Sequence, residues 1–223
     1  MSAMNAFLSP QAVHIATDGA GYLPDGRTVC GVQKVAILAH LPCVIAVRGA
    51  IELLSLAAEA ATRGAQTFDA LASRVGAFCK AVHQTAEAGA EAYGQPFPFT
   101  RSDFLIAGWS EARGRLETYA VTSAADGEFE PWTARLYFGG DDTILSPYTD
   151  EVGAAVDAIE AELGGDLAAK PEAAALRVIE VQRALRLKDF ADSPCGVFCQ
   201  LTTLTREGIS TKILRRWPDA KAA

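Results

Sequence analysis

The chain has 223 residues, 50% of them apolar and 21% charged, with a formal net charge of −7. That much apolar material supplies a sizeable core and excludes intrinsic disorder, and the length suits one large domain or two small ones. The acidic balance argues against a protein that grips nucleic acid or an anionic membrane surface through basic side chains.

The opening residues, MSAMNAFLSP, hold neither a basic run nor a long apolar one, so no signal peptide is expected and the expected location is cytoplasmic. Two short apolar runs, 3–8 and 12–17, flank Ser9-Pro10-Gln11 and read as a hairpin. A loop rich in turn residues follows, with Pro24-Asp25-Gly26 at its tip. Residues 35–38 and 44–47 read as two more strands joined around Pro42. They lie in the longest apolar stretch, 35–47, which His40 and Pro42 interrupt and which is shorter than the roughly 18 residues of a membrane-spanning helix.

A helix is expected over 50–63 with Gly64 as its stop. A second is expected over 67–93, where Phe68, Leu71, Val75, Phe78 and Val82 fall at helical spacing. Strands at 104–109 and 116–121 pair through Glu111-Ala112-Arg113-Gly114, and one near 135–138 runs into Gly139-Gly140-Asp141-Asp142. The third helix begins near Pro147, turns Val152, Val156, Ile159 and Leu163 to one face, and ends at Gly164-Gly165. The fourth begins near Pro171 and runs to about Leu187. Residues 197–204 and 209–214 form a closing hairpin around Arg206-Glu207-Gly208. No repeat or low-complexity linker divides the chain, so residues 1–223 read as a single domain.

Strands such as FLIAGW, VIAV and GVFCQL are apolar on both faces, and such a strand needs a covering layer on each side. Two packed antiparallel sheets flanked by helix pairs satisfy that need. The expected fold class is therefore α+β, a four-layer α/β/β/α sandwich. The five cysteines, Cys30, Cys43, Cys79, Cys195 and Cys199, are odd in number and scattered, which reads as buried thiols rather than a disulfide framework. His14, His40 and His83 are too far apart in sequence to suggest a metal site with them, so neither metal nor cofactor is expected.

Ser2, Asp18 and Lys34 stand at two successive intervals of 16 residues. A hairpin centred on Pro10 sets position 2 opposite position 18, and one centred on Gly26 sets 18 opposite 34. A hydroxyl, a carboxylate and an amine then meet at one end of a sheet. A serine hydroxyl is a poor nucleophile until a base takes its proton. Removal of Met1 would give Ser2 an α-amine of ordinary pKa about 7.7–8.0, able to serve as that base. Lys34 would favour the alkoxide and hold the α-amine neutral, and Asp18 would hold Lys34. A strand-end salt bridge is the plain alternative for Asp18 and Lys34. Thr17 is the alternative hydroxyl, internal and mid-strand.

The segment VHIATDGAGYLPDGRTVCGVQKVAILAHLPCVIAVRGA resembles the first half of proteasome β-type and related bacterial proteasome-like subunits, members of the N-terminal-nucleophile hydrolase superfamily. FLIAGWSEARGRLETYAVTS, LYFGGDD and CGVFCQLTTLTREG resemble the family's middle hairpin, the turn before its third helix and its final hairpin. The resemblance implies the same four-layer fold and Ser2, Asp18 and Lys34 as catalytic residues. It also implies an oxyanion site from the backbone N–H groups of Arg48 and Gly49, a peptide or small amide substrate, and homo-oligomers that are ring-like. The chain departs from the family in Ser2 for the usual threonine and Arg48 for the usual glycine. Gly139-Gly140-Asp141-Asp142 replaces a Gly-Ser-Gly-Ser turn, and KDFADSPCGVFC sets Pro194-Cys195 where Ser-Gly is expected. Asp189, Asp192 and Ser193 are the candidates for orienting the amine. Two functions remain open: an amide hydrolase, and a catalytically inactive proteasome-like structural or interaction protein.

Overall fold

A computed structural model describes residues 3–22, 28–94, 97, 101–127, 129–140, 142–184 and 195–218. Its elements in chain order begin with six strands, β1 (Met4–Leu8), β2 (Ala12–Asp18), β3 (Ala20–Tyr22), β4 (Thr28–Gly31), β5 (Val35–Leu38) and β6 (Cys43–Arg48). Helices α1 (Glu52–Gly64), α2 (Phe68–Ala72) and α3 (Val75–Ala92) follow, then strands β7 (Asp103–Ser110), β8 (Arg115–Thr122), β9 (Arg135–Tyr137) and β10 (Thr143–Ile144). Helices α4 (Asp150–Leu163) and α5 (Pro171–Ala184) precede the closing strands β11 (Phe198–Thr205) and β12 (Ile209–Arg216). The chain groups into two compact units, one of residues 1–34, 139–203 and 210–223, the other of 35–138 and 204–209.

The first unit is built on a five-stranded antiparallel sheet of order β10-β1-β2-β11-β12. All five residues of β1 and all seven of β2 are buried, as strands apolar on both faces require. Phe7, Ala16, Cys199 and Leu201 of this sheet pack with Val152, Val156 and Ile159 of α4 and Val178 and Ile179 of α5. A buried amide pair ties the layers: Asn5 Nδ2 donates to Gln182 Oε1 at 2.8 Å, and Gln182 Nε2 returns to Asn5 Oδ1 at 2.9 Å. Helix α4 starts at Asp150 rather than at Pro147, because the Thr149 hydroxyl accepts from the Val152 amide and fixes the N-cap there. Gly164, at φ 101, ends it in the left-handed conformation. The turn-rich stretch after β2, expected as a loop with a turn near Gly26, holds the paired strands of a hairpin, β3–β4; its tip, 23–27, lies outside the described residues.

The second unit is a five-stranded antiparallel sheet of order β5-β6-β7-β8-β9. Its core joins Ile45 and Val47 of β6, Phe104 and Ile106 of β7 and Tyr119 and Val121 of β8 to the buried faces of α1, α2 and α3. The helix expected over 67–93 is two helices, broken at Ser73-Arg74. Glu117 is fully buried in this unit, bound by the Arg113 and Arg115 guanidiniums and the Tyr119 hydroxyl.

Cys43, Cys79, Cys195 and Cys199 are buried free thiols, and burial pushes Cys43 and Cys199 up to about 12. Among the described residues no helix is long and apolar enough to cross a membrane.

Candidate active site

Asp18 ends β2, and its carboxylate is fully buried. Four nitrogen donors converge on it. Oδ1 accepts from the Ala3 amide at 2.8 Å and from Lys34 Nζ at 2.5 Å. Oδ2 accepts from the Ala20 amide at 2.9 Å and the Gly196 amide at 3.0 Å. A carboxylate offers about four lone-pair sites, so these donors saturate it. Lys34 is only 7% exposed. Burying an ion pair costs several kcal/mol per ion in lost hydration, which close pairing and filled lone pairs offset.

The equal spacing of the sequence brings Asp18 and Lys34 together, although by a different register from the one it suggests. β1 pairs with β2 as Met4↔Thr17 and Leu8↔Val13, so the ladder continues to set Ala3, not residue 2, opposite Asp18. β3 pairs with β4 as Ala20↔Gly31, which sets residue 33 rather than Lys34 opposite Asp18. The long lysine side chain covers the difference of one residue. Ser2 lies outside the described residues. The Ala3 amide, which is the peptide nitrogen bonded to residue 2, is the group 2.8 Å from Asp18.

The three backbone amides on Asp18 were not foreseen, because backbone donors leave no residue-type signal. The glycines are the nearest thing to one. A Cβ at Gly19 would stand 2.3 Å from the Phe198 ring, so only glycine lets β11 close over the turn after Asp18. The Gly19 amide in turn donates to the Gly196 and Phe198 carbonyls, both at 3.0 Å.

In the second unit, Arg48 ends β6 opposite Asp103 of β7, and its Nη1 donates to Asp103 Oδ2 at 2.8 Å. Arg101 Nε holds the other carboxylate oxygen at 2.8 Å. Burial raises the Asp103 pKa, but the Arg101 hydrogen bond and the Arg48 charge outweigh it and hold the carboxyl below its ordinary value. Gly49 has φ 143, and a Cβ there would meet Ser102 Oγ at 3.0 Å and Leu53 Cδ1 at 3.1 Å, so the position takes glycine. The amine-orienting candidates Asp189, Asp192 and Ser193 lie outside the described residues.

Other reactive groups have structural surroundings. The Thr17 hydroxyl is buried and makes no hydrogen bond among the described residues. His83 Nδ1 lies 3.0 Å from Ser102 Oγ, and Ser102 is fully buried. The described residues hold no cluster of three or more His, Cys, Asp or Glu that could bind a metal ion.

No family model matches the chain, and no curated protein does. Solved structures do. A mutant of Anbu from Hyphomicrobium sp. strain MC1 superposes with a TM-score of 0.65 at 11% identity, covering 96% of this chain and 87% of that one. Anbu from Yersinia bercovieri, described as an ancestral beta-subunit, gives 0.64 at 10% identity, covering 94% and 86%. At such identities the likeness is one of fold: this chain is similar to Anbu in architecture.

Proposed function

We propose that the chain is a proteasome-like N-terminal-nucleophile amide hydrolase that uses Ser2 once Met1 is removed. The observation that carries this reading is the Asp18 carboxylate, which binds Lys34 Nζ and the Ala3 amide on the same oxygen. The α-amine of Ser2, directly or through a water, takes the Ser2 hydroxyl proton. The oxygen adds to the amide carbonyl of a peptide or small amide, and the proton passes to the leaving amine. Water then releases the acyl group. Lys34 supplies the positive charge that favours the alkoxide, Asp18 holds Lys34, and the backbone N–H groups of Arg48 and Gly49 receive the developing oxyanion. Asp189, Asp192 and Ser193 are proposed to orient the amine. In this reading residues 1–223 act as one domain, with the two sheets stacked as an α/β/β/α sandwich. The protein self-associates, as the subunit description of the Yersinia structure suggests for that protein.

A second reading, a catalytically inactive proteasome-like structural or interaction protein, is favoured by one observation. Cys195, at a position where the resemblance expects the Ser-Gly pair, is buried in the apolar core against α4 and α5, and Pro194 before it has no hydroxyl.

Native mass spectrometry followed by labelling with an electrophile that bridges a hydroxyl and its neighbouring α-amine separates the two. The hydrolase should have lost one methionine, run as an oligomer, and label at residue 2 alone. Ser2→Ala should not label while remaining folded. Retained Met1, or wild type labelling no faster than Ser2→Ala, rejects the enzyme and leaves the inactive module. A monomer rejects the self-association.

A further inference from the structure

We propose that Val197 is a positioning residue for the Asp18–Lys34 pair, acting through a strained turn that fixes the Gly196 amide on the Asp18 carboxylate. The proposal rests on the reading of that pair as the catalytic core. Val197 has φ 67, a left-handed conformation that β-branched residues almost never adopt. The Phe198 amide donates to the Gly196 carbonyl at 2.8 Å, so residues 196–198 form a γ-turn of the rare positive-φ kind. Gly196 is thereby gripped on both sides. Its N–H donates to Asp18 Oδ2 at 3.0 Å, and its carbonyl accepts from the Gly19 amide at 3.0 Å.

Glycine would occupy this turn without strain, so the valine needs a reason. Its side chain is 5% exposed, and its Cγ1 lies where a Cβ on Gly31 would come within 3.1 Å. Its carbonyl accepts from the Trp217 amide at 2.9 Å. The side chain anchors one flank of the turn and the Phe198 ring, seated on Gly19, anchors the other. Strain of this sort persists only where the surroundings over-determine it, and it gathers at functional sites. If Val197 relaxed to negative φ, the Gly196 peptide would rotate and Oδ2 would keep only the Ala20 amide. The carboxylate could then turn about its Cβ–Cγ bond, and Lys34, held on Oδ1, would lose its fixed position.

The test reads Lys34 rather than turnover. The folded protein is treated with formaldehyde and cyanoborohydride, and methylation of each lysine is followed by peptide mass spectrometry, with half-exposed Lys212 as the internal reference. Lys34 should be strongly protected in wild type. Val197→Gly, which removes both the anchor and the strain, should raise the Lys34 rate about tenfold or more through local opening. The Cys43 and Cys199 thiols should stay unreactive, and the melting temperature should not collapse. Val197→Ile, which keeps a branched anchor, should keep Lys34 protected. Unchanged protection in Val197→Gly overturns the proposal. So does exposure of Lys34 only together with the buried thiols, or equal exposure in Val197→Ile. Amine reactivity is measured without substrate, so this outcome is independent of whether Ser2 labels.

Discussion

His14 is shut into β2 at 7% exposure, with Nδ1 3.0 Å from the Thr203 hydroxyl. Burial lowers its pKa, and the charge of Asp166 restores only part of the loss. The unfolded chain therefore binds the proton more readily than the folded one. The stability contributed by neutral His14 is complete above the unfolded value of about 6.5 and falls as pH drops below it toward the lowered folded value. Unfolding in denaturant should show wild type less stable at pH 5.5 than at pH 7.5. His14→Gln, which keeps a polar group beside Thr203 but does not titrate, should narrow that gap; an unchanged gap assigns the slope elsewhere, with His83, also lowered by burial, the next group to test. At the same scale, the contact between Asp18 and Lys34 was legible in the sequence. Asp18 and Lys34 follow from spacing, because antiparallel pairing turns equal intervals into neighbours. The Ala3, Ala20 and Gly196 amides do not, because every residue carries the same donor and only the folded turn aims it.

The seam between α2 and β7 shows how elements are matched by a single small residue. Phe68 opens α2, and a Cβ at Gly108 of β7 would lie 2.2 Å from its ring. The ring is 3% exposed and packs near Tyr119, with ring centroids 6.3 Å apart, so it cannot step aside cheaply. Gly108→Ala should cost about 1–3 kcal/mol by overpacking, read as an earlier midpoint in urea at constant slope. Stability equal to wild type would mean that α2 shifts freely on the sheet. The same helix explains why the sequence suggests one long helix at 67–93. Phe68, Leu71, Val75 and Val82 all remain buried, so the break at Ser73-Arg74 leaves the apolar phase intact, and periodicity is blind to an interruption that preserves phase. The doubly apolar strands were legible for the converse reason, since burial on both faces marks every residue. The strands of the β3–β4 hairpin and their register were not, because glycine and turn residues are interspersed with its strand formers and the pairing shifts between Gly21 and Tyr22.

At the scale of the whole molecule, the chain passes between its two compact units four times, after residues 34, 138, 203 and 209. β11 begins in the first unit and its last residues belong to the second, while β12 begins in the second and continues in the first. Neither unit is a continuous piece of sequence, and one unbroken strand backbone is shared. Melting of the second unit would release residues 204–209 and so fray the sheet β10-β1-β2-β11-β12, which takes two of its five strands from this hairpin. Chains longer than about 150 residues often unfold in parts, but that freedom requires separable folding units. We therefore expect residues 1–223 to unfold as one domain. Differential scanning calorimetry should give a single transition whose calorimetric and van't Hoff enthalpies agree, and near-ultraviolet and far-ultraviolet dichroism should lose their signals at the same temperature. Substitution at Gly108, in the second unit, should lower that common transition without splitting it. Two resolved transitions, or a shift confined to one probe, would show that the shared hairpin does not couple the units and that the chain is two domains.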